Sequence, residues 1–552
     1  MSVVKSVSLS DFVKTNDSNF TLSHVDCGQK EVILEQCIHG LNTNEFTELT
    51  DCLSCVRILS RDENCLDRLA ENTTLESLCK FAFQRDEGND RKKVIEALKA
   101  LSNIIFKRPS TIPFLRSLGV VKSLTEHLKI SVNNTNRNNV LLIDLKLLFI
   151  LSGLEPEVRS ELAKDTEAFA LFATLLRSFQ ADSLSSLDVE IISEALKGAY
   201  NIGYALQCDS TQHSTQQFDI FVPVLSELLL GKTTSPREHF QLVNHIVNFL
   251  NIVPKRYFRH LLRSSSDRAA NTVCNIPAVD VLLEFLSHQL DVLDSKDRPE
   301  SDTLNLRSDE LLCPIFNVLI KGARGSRAIR KYCRLKILPY LGEEVRHLPE
   351  EGPTLRNRLC RFLTCPLQGV SELDALLLFV LCKEDIGRAV KYTGFGNFAG
   401  FLATHALLGR SSKRHSRVTE MAQVADGSLT SSTNQSSVIT EDDSAEEYST
   451  GSSESDTEEY NKLRENINPV TGRWELPHPN PMEGMSEEQK ECTAMELVKQ
   501  IDRLQRSGLI QPGVIGDDGR VRPAEHVLEL LENARTQGLS KETDEEEESD
   551  DT

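Results

Sequence analysis

The amino-acid sequence predicts an all-α fold built from repeated helical units, and three observations lead to this expectation. Leucine, isoleucine and valine recur at i, i+3 and i+4 through the first 410 residues, the spacing of amphipathic helices, while alternating strand-like runs are rare. The chain has 552 residues, more than one hydrophobic core organises, so several domains or an elongated array are expected. The octapeptide EALKALSN, which ends at Asn103, recurs as EALKGAYN, which ends at Asn201, and indicates a duplicated unit.

The spacing of the repeats identifies the type of array. A helical unit of about 40 to 47 residues is typical of armadillo and HEAT solenoids, whose units stack into a superhelix with a continuous core. Steps of 52 and 69 residues predict insertions, and the longer one fits the polar stretch 264–272. The final position of the octapeptide recurs at Arg57, Asn103, Phe149, Asn201, Asn248, Asn317 and Leu363.

Composition divides the chain into four parts. Beyond the helical body, serine, threonine and acidic residues dominate, and such a segment is too polar to offset its ordering entropy by burial, so we expect it to be disordered when alone. The expected parts are an armadillo-like solenoid at 1–410, an acidic linker at 411–465, a C-terminal partner-binding segment at 466–540 and an acidic disordered tail at 541–552.

Two helices are predicted in the C-terminal segment, near 486–507 and 523–535. The first begins with a capping box, because Ser486 can accept a hydrogen bond from the backbone of Gln489, whose side chain can reach back. Its apolar residues fall on one face and are candidates for binding a partner. They are Leu497, Val498, Ile501 and Leu504, with Ala494 beside them.

Charge and cysteine usage exclude several classes of protein. The net charge is −20, but residues 411–552 hold 14 basic and 32 acidic residues, so the body is nearly neutral and lacks the basic surface that nucleic acid requires. The longest apolar run, Ala375 to Cys382, is too short to span a bilayer. The 14 cysteines are scattered, and no apolar signal segment follows Met1, so we expect a cytoplasmic protein with free thiols.

No residue pattern predicts a metal site, a cofactor or covalent catalysis. Cys52 and Cys55 form a C-x-x-C, but no second pair completes four zinc ligands, so core packing is expected. The tripeptide Gly231-Lys232-Thr233 lacks the preceding glycine and strand of a phosphate-binding loop. We therefore expect neither a cofactor nor an enzyme in the covalent sense.

Polar residues at the repeat positions are candidates for binding a partner. Asn103, Asn201 and Asn248 recur in step with the helices, where side-chain amides can bind a partner's backbone, although asparagine is also tolerated on a wet face. Arg57 and Arg61 are spaced i, i+4 and could clamp a carboxylate, although such a pair is often only solvated.

A basic stretch and the acidic linker are complementary in charge. Ser453 and Ser455 each precede an acidic residue by three positions, the pattern that acidophilic kinases of the casein kinase two type read. A phosphate there would add charge and three acceptor oxygens that a basic helix can bind. A solvated face beside an inert spacer is the alternative. The expected phosphate-docking residues are Arg327, Arg330, Lys331 and Arg334.

Six segments together carry a family resemblance. In order and spacing they resemble the synembryn family, the cytosolic exchange factors and folding chaperones of heterotrimeric G-protein alpha subunits. The segments are VRILSRD (56–62), LLFVLCKED (377–385), VKYTGFGNFAG (390–400), SDTEEY (455–460), INPVTGR (467–473) and PNPMEGMSEEQKE (479–491).

The resemblance implies how such a protein acts. The groove of the solenoid takes the C-terminal helix of the alpha subunit, which withdraws from its nucleotide domain, so that GDP leaves and the nucleotide-free state is held. Arg57, Arg61 and Asn103 match residues of that groove, and the helix at 486–506 would pack against the switch region. Phosphorylation near Ser455, and at Ser452 or Ser453, would favour binding. A monomer that is recruited to the plasma membrane or cell cortex through the GDP-bound or nucleotide-free alpha subunit is expected.

An armadillo-type adaptor that binds an extended peptide is the alternative function. Such adaptors would use the same asparagines on a peptide backbone. Import adaptors commonly pair groove asparagines with tryptophan, whereas the one tryptophan here, Trp474, lies outside the predicted solenoid.

Overall fold

A computed structural model describes most of the helical body and parts of the C-terminal segment. It divides into two compact units, at 1–286 and 287–552. The expected boundary near residue 410, the insertion at 264–272 and the acidic tail lie outside the described residues. These residues are 8–43, 49–83, 91–133, 137–179, 182–208, 217–262, 276–294, 304–407, 457–476, 484–507, 513–515 and 521–524.

The first unit consists of helices whose apolar faces are buried. Polar side chains cap several of them, as where the Asn138 carbonyl oxygen Oδ1 accepts from the backbone of Val140 and Leu141. The helices of this unit are α1 (Leu9–Asn16), α2 (Cys27–Thr43), α3 (Leu49–Leu59), α4 (Glu63–Leu69), α5 (Asn72–Phe83), α6 (Arg91–Lys107), α7 (Ile112–Ser117), α8 (Val120–Asn133), α9 (Asn139–Leu154), α10 (Pro156–Lys164), α11 (Thr166–Arg177), α12 (Ser186–Cys208), α13 (Phe221–Leu229), α14 (Pro236–Leu250) and α15 (Pro277–Asp294), within which the division falls.

The repeat spacing read from the sequence matches the packing of this unit. Helices α3, α6, α9, α12 and α14 contact one another in that order, and each carries one of the repeat positions. A second layer, which includes α5, α8, α11 and α13, packs against them. The all-α repeat fold is therefore confirmed.

Phenylalanine side chains form part of the core of this unit. The ring of Phe221 lies 4.5 Å from that of Phe169 and 4.9 Å from that of Phe249, centroid to centroid. All three side chains are fully buried. Burial of large apolar side chains from successive repeats provides the continuous core that a single repeat lacks.

The second unit is also mainly helical. It also contains two short antiparallel hairpins. The elements are α16 (Leu304–Gly325), α17 (Arg327–Ile337), α18 (Leu355–Phe362), α19 (Gln368–Leu381), α20 (Ile386–Thr393), α21 (Phe395–Thr404), α22 (Glu458–Leu463), β1 (Ile467–Asn468), β2 (Arg473–Trp474), α23 (Glu487–Arg506), β3 (Gly513–Ile515) and β4 (Val521–Pro523).

Three sequence expectations need correction in the second unit. The sequence predicts Leu363 as the repeat position after Asn317, but the helix that contacts α16 most extensively is α19, and Leu363 follows α18, which ends at Phe362. The end of the expected linker is folded instead, since residues 458–463 form helix α22 and the side chain of Tyr460 is buried. Of the predicted helix at 523–535, Pro523 ends a strand instead, and residues from 525 lie outside the described part. None of the described helices is long and apolar enough to cross a bilayer.

Candidate partner-binding site

The recurring asparagines join neighbouring helices of the first unit. The Asn103 amide nitrogen Nδ2 donates to the Ser60 hydroxyl oxygen at 2.9 Å and to the Arg57 carbonyl oxygen at 3.3 Å. Asn201 on α12 repeats the arrangement on α9, with 3.0 Å to the hydroxyl oxygen of Ser152 and 3.2 Å to the carbonyl oxygen of Phe149. These amides therefore join successive helices of the array, a role that differs from both interpretations drawn from the sequence.

The third rung of asparagines differs. Asn248 on α14 is half-buried, and its side chain makes no hydrogen bond to the described residues. In the other two rungs the acceptor is a serine three residues after the preceding repeat position, and here that residue is Tyr204. Asn248 thus keeps its amide for other contacts.

Aromatic side chains lie exposed beside the asparagines. Phe106 follows Asn103 by three positions and is 66% exposed, and Tyr204 follows Asn201 by three and is 47% exposed. Aromatic side chains give large contact areas, and an exposed pair on neighbouring repeats suits an apolar partner surface. The sequence contains this signal, because Phe106 and Tyr204 each lie three residues after a copy of the duplicated octapeptide. It is not apparent as a repeat because the equivalent residues of the alternate units are Ser60 and Ser152.

Arg57 is a buried member of an ion-pair network. It is only 6% exposed, and its Nε donates to the Glu96 carboxylate at 2.5 Å, while Nη2 pairs with Asp17. Burial lowers the pKa of Arg57, but the bonds to Glu96 and Asp17 outweigh burial and raise it above the usual value. Both carboxylate partners were missed by the sequence analysis because they lie about 40 residues away on either side.

Arg61 shares the same face and contacts the same segment. Its Nη1 donates to the carbonyl oxygens of Asp17, at 3.1 Å, and Asn19, at 2.5 Å. Burial and the neighbouring Arg57 lower the pKa of Arg61. Arg61 is half-buried and makes no ion pair with a carboxylate among the described residues, so it is the better placed of the two arginines to receive one.

The basic patch on the second unit is larger than the sequence suggested. Arg327 and Lys331 on α17 are exposed, and Arg330 and Arg334 are half-buried. The turn after α19 adds Lys383, whose backbone, like that of Glu384, is left-handed, with φ of 61° and 57°. Burial, followed by repulsion from nearby arginines, lowers the pKa of Lys383. Those arginines are Arg388, Arg327, Arg330 and Arg334.

Helix α20 and the end of α22 extend this patch. Burial lowers the pKa of Lys391 to about 8, helped by repulsion from Arg464, Arg388 and Arg334. The Lys391 ammonium also lies 4.1 Å from the ring centroid of the buried Tyr460. The basic cluster is defined here as the four predicted residues of α17 together with Lys383, Arg388, Lys391 and Arg464.

The segment 457–476 is docked on the second unit beside the basic cluster. The Thr457 hydroxyl donates to the Leu341 carbonyl at 2.5 Å, and the Phe395 and Gly396 amides donate to the carbonyls of 469 and 470 at 3.0 and 2.8 Å. Gly394 has a φ of 76°, and a Cβ there would lie 2.9 Å from the backbone of Thr471. This close approach explains the glycine in the VKYTGFGNFAG segment. The predicted phosphorylation sites, Ser453 and Ser455, fall outside the described residues.

Helix α23 presents its predicted apolar face to solvent. The capping box forms: the backbone N–H of Ser486 donates to the side-chain oxygen of Gln489 at 3.0 Å, and the backbone N–H of Gln489 donates to the Ser486 hydroxyl oxygen at 3.3 Å. No residue of the helix is buried. Leu497 is 57% and Leu504 is 40% exposed, and Val498 and Ile501 are half-buried. An amphipathic helix with an uncovered apolar stripe is suited to pack on a partner.

The C-x-x-C motif packs in the core. Cys52 and Cys55 are fully buried in α3, and the Cys52 thiol lies 3.4 Å from the Cys37 carbonyl oxygen. Hydrogen bonds with these two thiols, and burial, raise the pKa of Cys37 well above its usual value. Within the described ranges, no three metal-ligating side chains cluster.

Comparison with known proteins identifies relatives over most of the chain. A family model described as guanine nucleotide exchange factor synembryn matches residues 52–520. The chain is 31% identical over 521 residues to the protein named Chaperone Ric-8A of Xenopus tropicalis, covering 89% of this chain and 88% of that one. It is 32% identical over 546 residues to Chaperone Ric-8 of Drosophila pseudoobscura pseudoobscura, again covering 89% and 88%. With Chaperone Ric-8A of Gallus gallus it shares 31% identity over 88% of this chain and 86% of that one.

Proposed function

The chain belongs to the family of the guanine nucleotide exchange factor synembryn, and on this premise we propose that it is an exchange factor and folding chaperone for heterotrimeric G-protein alpha subunits. The match over residues 52–520 carries this proposal. The protein binds the nucleotide-free alpha subunit more tightly than the GDP-bound form, and GTP binding then ejects it. Such exchange is a shift of population by differential affinity and requires no covalent step.

The exposed face of α3, α6, α9 and α12 binds the C-terminal helix of the alpha subunit. Phe106 and Tyr204 supply apolar contact area, and Arg61 offers donors to a carboxylate. Asn103 and Asn201 contribute mainly by fixing the spacing of these helices, because their amides are engaged within the array. Asn248 is the asparagine whose amide can turn to the partner.

Helix α23 binds a second surface of the alpha subunit. Its apolar stripe is uncovered, and burial of Leu497 and Leu504 against a partner would contribute roughly 1.5–3 kcal/mol per fully buried leucine before the ordering costs of binding. The switch region is the partner surface that the family resemblance implies.

Phosphorylated Ser455 docks on the basic cluster. Ser455 lies two residues before Thr457, so extended chain geometry keeps it within about 7 Å of a residue that is bonded to Leu341. The cluster combines several cations, and repulsion from Arg464, Arg388 and Arg334 adds to the effect of burial in lowering the pKa of Lys391 to about 8. A phosphate with about −1.5 to −2 charges would relieve that repulsion and hold the chain that leads to α23. Ser453 is the second candidate.

Complex formation tests the proposal directly. The full chain is mixed with a purified alpha subunit in the absence of free nucleotide, and the mixture is separated by size-exclusion chromatography with and without a GTP analogue. A stable complex that GTP dissociates is expected.

For the linker, the affinity of the protein for the alpha subunit is compared before and after treatment with an acidophilic kinase. Equal affinities would refute phosphate docking.

A peptide-binding adaptor remains the second candidate, because the array exposes both aromatic side chains and the Asn248 amide. A pull-down that compares a helical C-terminal peptide of an alpha subunit with a basic extended peptide separates the two functions. Preference for the extended peptide would favour the adaptor.

A further inference from the structure

The connection between α1 and α2 occupies both arginines of the predicted clamp. Asp17, the residue that ends α1, places its carboxylate on Nη2 of Arg57 and its carbonyl oxygen 3.1 Å from Nη1 of Arg61. Asn19 adds a second carbonyl to Arg61 at 2.5 Å. Phe20, the next residue, is 90% exposed, so this connection lies at the protein surface.

The two carboxylates on Arg57 differ in their freedom to leave. The Glu96 side chain is 9% exposed and lies within α6, so it is a fixed part of the fold. The Asp17 side chain is 62% exposed and stands at the end of a helix of eight residues. The Asp17 carboxylate keeps most of its contact with water, so solvent screens this ion pair from one side although the Arg57 side chain is only 8% exposed. Asp17 can therefore be displaced at a small cost, whereas Glu96 cannot.

The charges around Arg57 show what the departure of the Asp17 carboxylate would leave behind. Arg57 and Arg61 carry two positive charges, and Glu96 and Asp17 carry two negative charges, so this group of four is balanced, with Lys99 outside it at 3.7 Å from the other oxygen of Glu96. Without Asp17 the group carries one net positive charge, with the Arg57 guanidinium still held by Glu96. A carboxylate from outside could then take the vacated donors with the geometry already set.

We propose that Asp17 is a built-in competitor, which covers the arginine pair in the free protein and must leave before a partner's carboxylate can bind there. The inference rests on the proposed function, since it assigns the carboxylate to the C-terminal end of the alpha subunit's helix. Every chain end carries such a group, and a helix that enters end-on presents it first. Asp17 thus sets a threshold that a weakly fitting partner does not overcome.

The test compares two peptides on three full-length proteins. The peptides match the C-terminal helix of an alpha subunit, one with a free terminal carboxylate and one with a terminal amide, and binding is measured by fluorescence anisotropy. The proteins are the wild type, Asp17→Asn and the control Asp11→Asn. The control removes the same charge from α1, where the one ion pair of Asp11 within the described part of the chain is with Lys14, at 3.7 Å and with both side chains 74% exposed.

The Asp17→Asn variant is expected to bind the carboxylate peptide roughly two- to fivefold more tightly than the wild type, the scale of one exposed ion pair. The amide peptide should bind all three proteins alike, and Asp11→Asn should match the wild type. Unchanged or weaker binding of the carboxylate peptide by Asp17→Asn, or an equal gain for the amide peptide, would overturn the competition while leaving the proposed function intact. If neither peptide binds any of the proteins, the proposed function fails, and the competition fails with it.

Discussion

The side-chain amide of Asn103 donates a 2.9 Å hydrogen bond to the hydroxyl of Ser60, which joins α6 to the helix one repeat before it. Asn201 and Ser152 repeat this bond at 3.0 Å between α12 and α9. The same spacing that marks the repeat in the sequence therefore marks a structural tie. Mutation of either asparagine would remove a candidate contact with the partner and also break a tie between helices. The stability of each variant therefore has to be measured before its partner binding is interpreted.

Replacing Asn103 or Asn201 with alanine should lower the free energy of unfolding by about 1–2 kcal/mol, because each change leaves a hydroxyl and a carbonyl without their shared donor. Asn248→Ala is the matched control, since its amide makes no hydrogen bond to the described residues. Chemical denaturation followed by far-UV circular dichroism measures all three. Equal losses in the three variants would argue against the tie.

Arg57→Ala should destabilise the first unit by about 3–5 kcal/mol, because the buried Glu96 carboxylate would lose its 2.5 Å bond to Arg57 and keep only the longer contact with Lys99 at 3.7 Å. Replacing both residues with methionine should recover most of that loss, since a packed apolar pair avoids the desolvation cost. Thermal unfolding compares the single and double variants. A single variant as stable as the wild type would show that the buried ion pair is dispensable.

Arg61→Glu is consequently the cleaner probe of partner binding. It should weaken the alpha-subunit complex at least tenfold through charge repulsion of the partner's carboxylate, while the melting temperature should fall less than in Arg57→Ala, because Arg61 is half-buried and loses only its bonds to the carbonyl oxygens of Asp17 and Asn19. Reversing Arg57 as well would place a third carboxylate beside Glu96 and Asp17, so the double reversal would confuse unfolding with lost binding. Unchanged affinity of Arg61→Glu would remove this arginine from the site.

The sequence predicted the helical repeats well and the use of individual side chains less well. Periodicity and the octapeptide located successive helices up to Asn248, because both depend on spacing that the fold preserves. The partners of Arg57 could not be found in this way, since Asp17 and Glu96 are brought to it by packing between repeats. Likewise the basic stretch revealed α17, but Lys391 and Arg464 joined the cluster only through the tertiary fold. The capping box on α23 was predictable because a cap depends on four consecutive residues.

Asp374 should make the second unit less stable as the pH rises. Its side chain is fully buried, neither carboxylate oxygen has a hydrogen-bond partner among the described residues, and burial raises its pKa well above the usual value. The folded state therefore keeps a proton that the unfolded state has lost, and stability falls as pH rises above the ordinary aspartate pKa. Asp374→Asn should gain stability relative to the wild type between pH 5 and 7. If the free energies of unfolding of Asp374→Asn and the wild type changed with pH in the same way, this assignment would be contradicted.

Phosphate docking should depend on the protonation of Lys391. With a pKa near 8, Lys391 loses its charge as pH rises through that value, so the affinity gained by phosphorylation should shrink between pH 7 and 9. Lys391→Arg should retain the gain across that range, because arginine stays charged. The ratio of alpha-subunit affinities with and without phosphorylation is the quantity to measure. A ratio that does not change with pH in the wild type would exclude Lys391 from docking.

The rate of GDP release from a purified alpha subunit tests the central claim most directly. The full chain at micromolar concentration should accelerate release of labelled GDP and leave a nucleotide-free complex, and added GTP should dissociate that complex. The acceleration should be lost with Arg61→Glu at a temperature at which far-UV circular dichroism shows that the variant is folded. Release at the intrinsic rate in the presence of micromolar wild-type protein, across alpha subunits of several classes, would contradict the account.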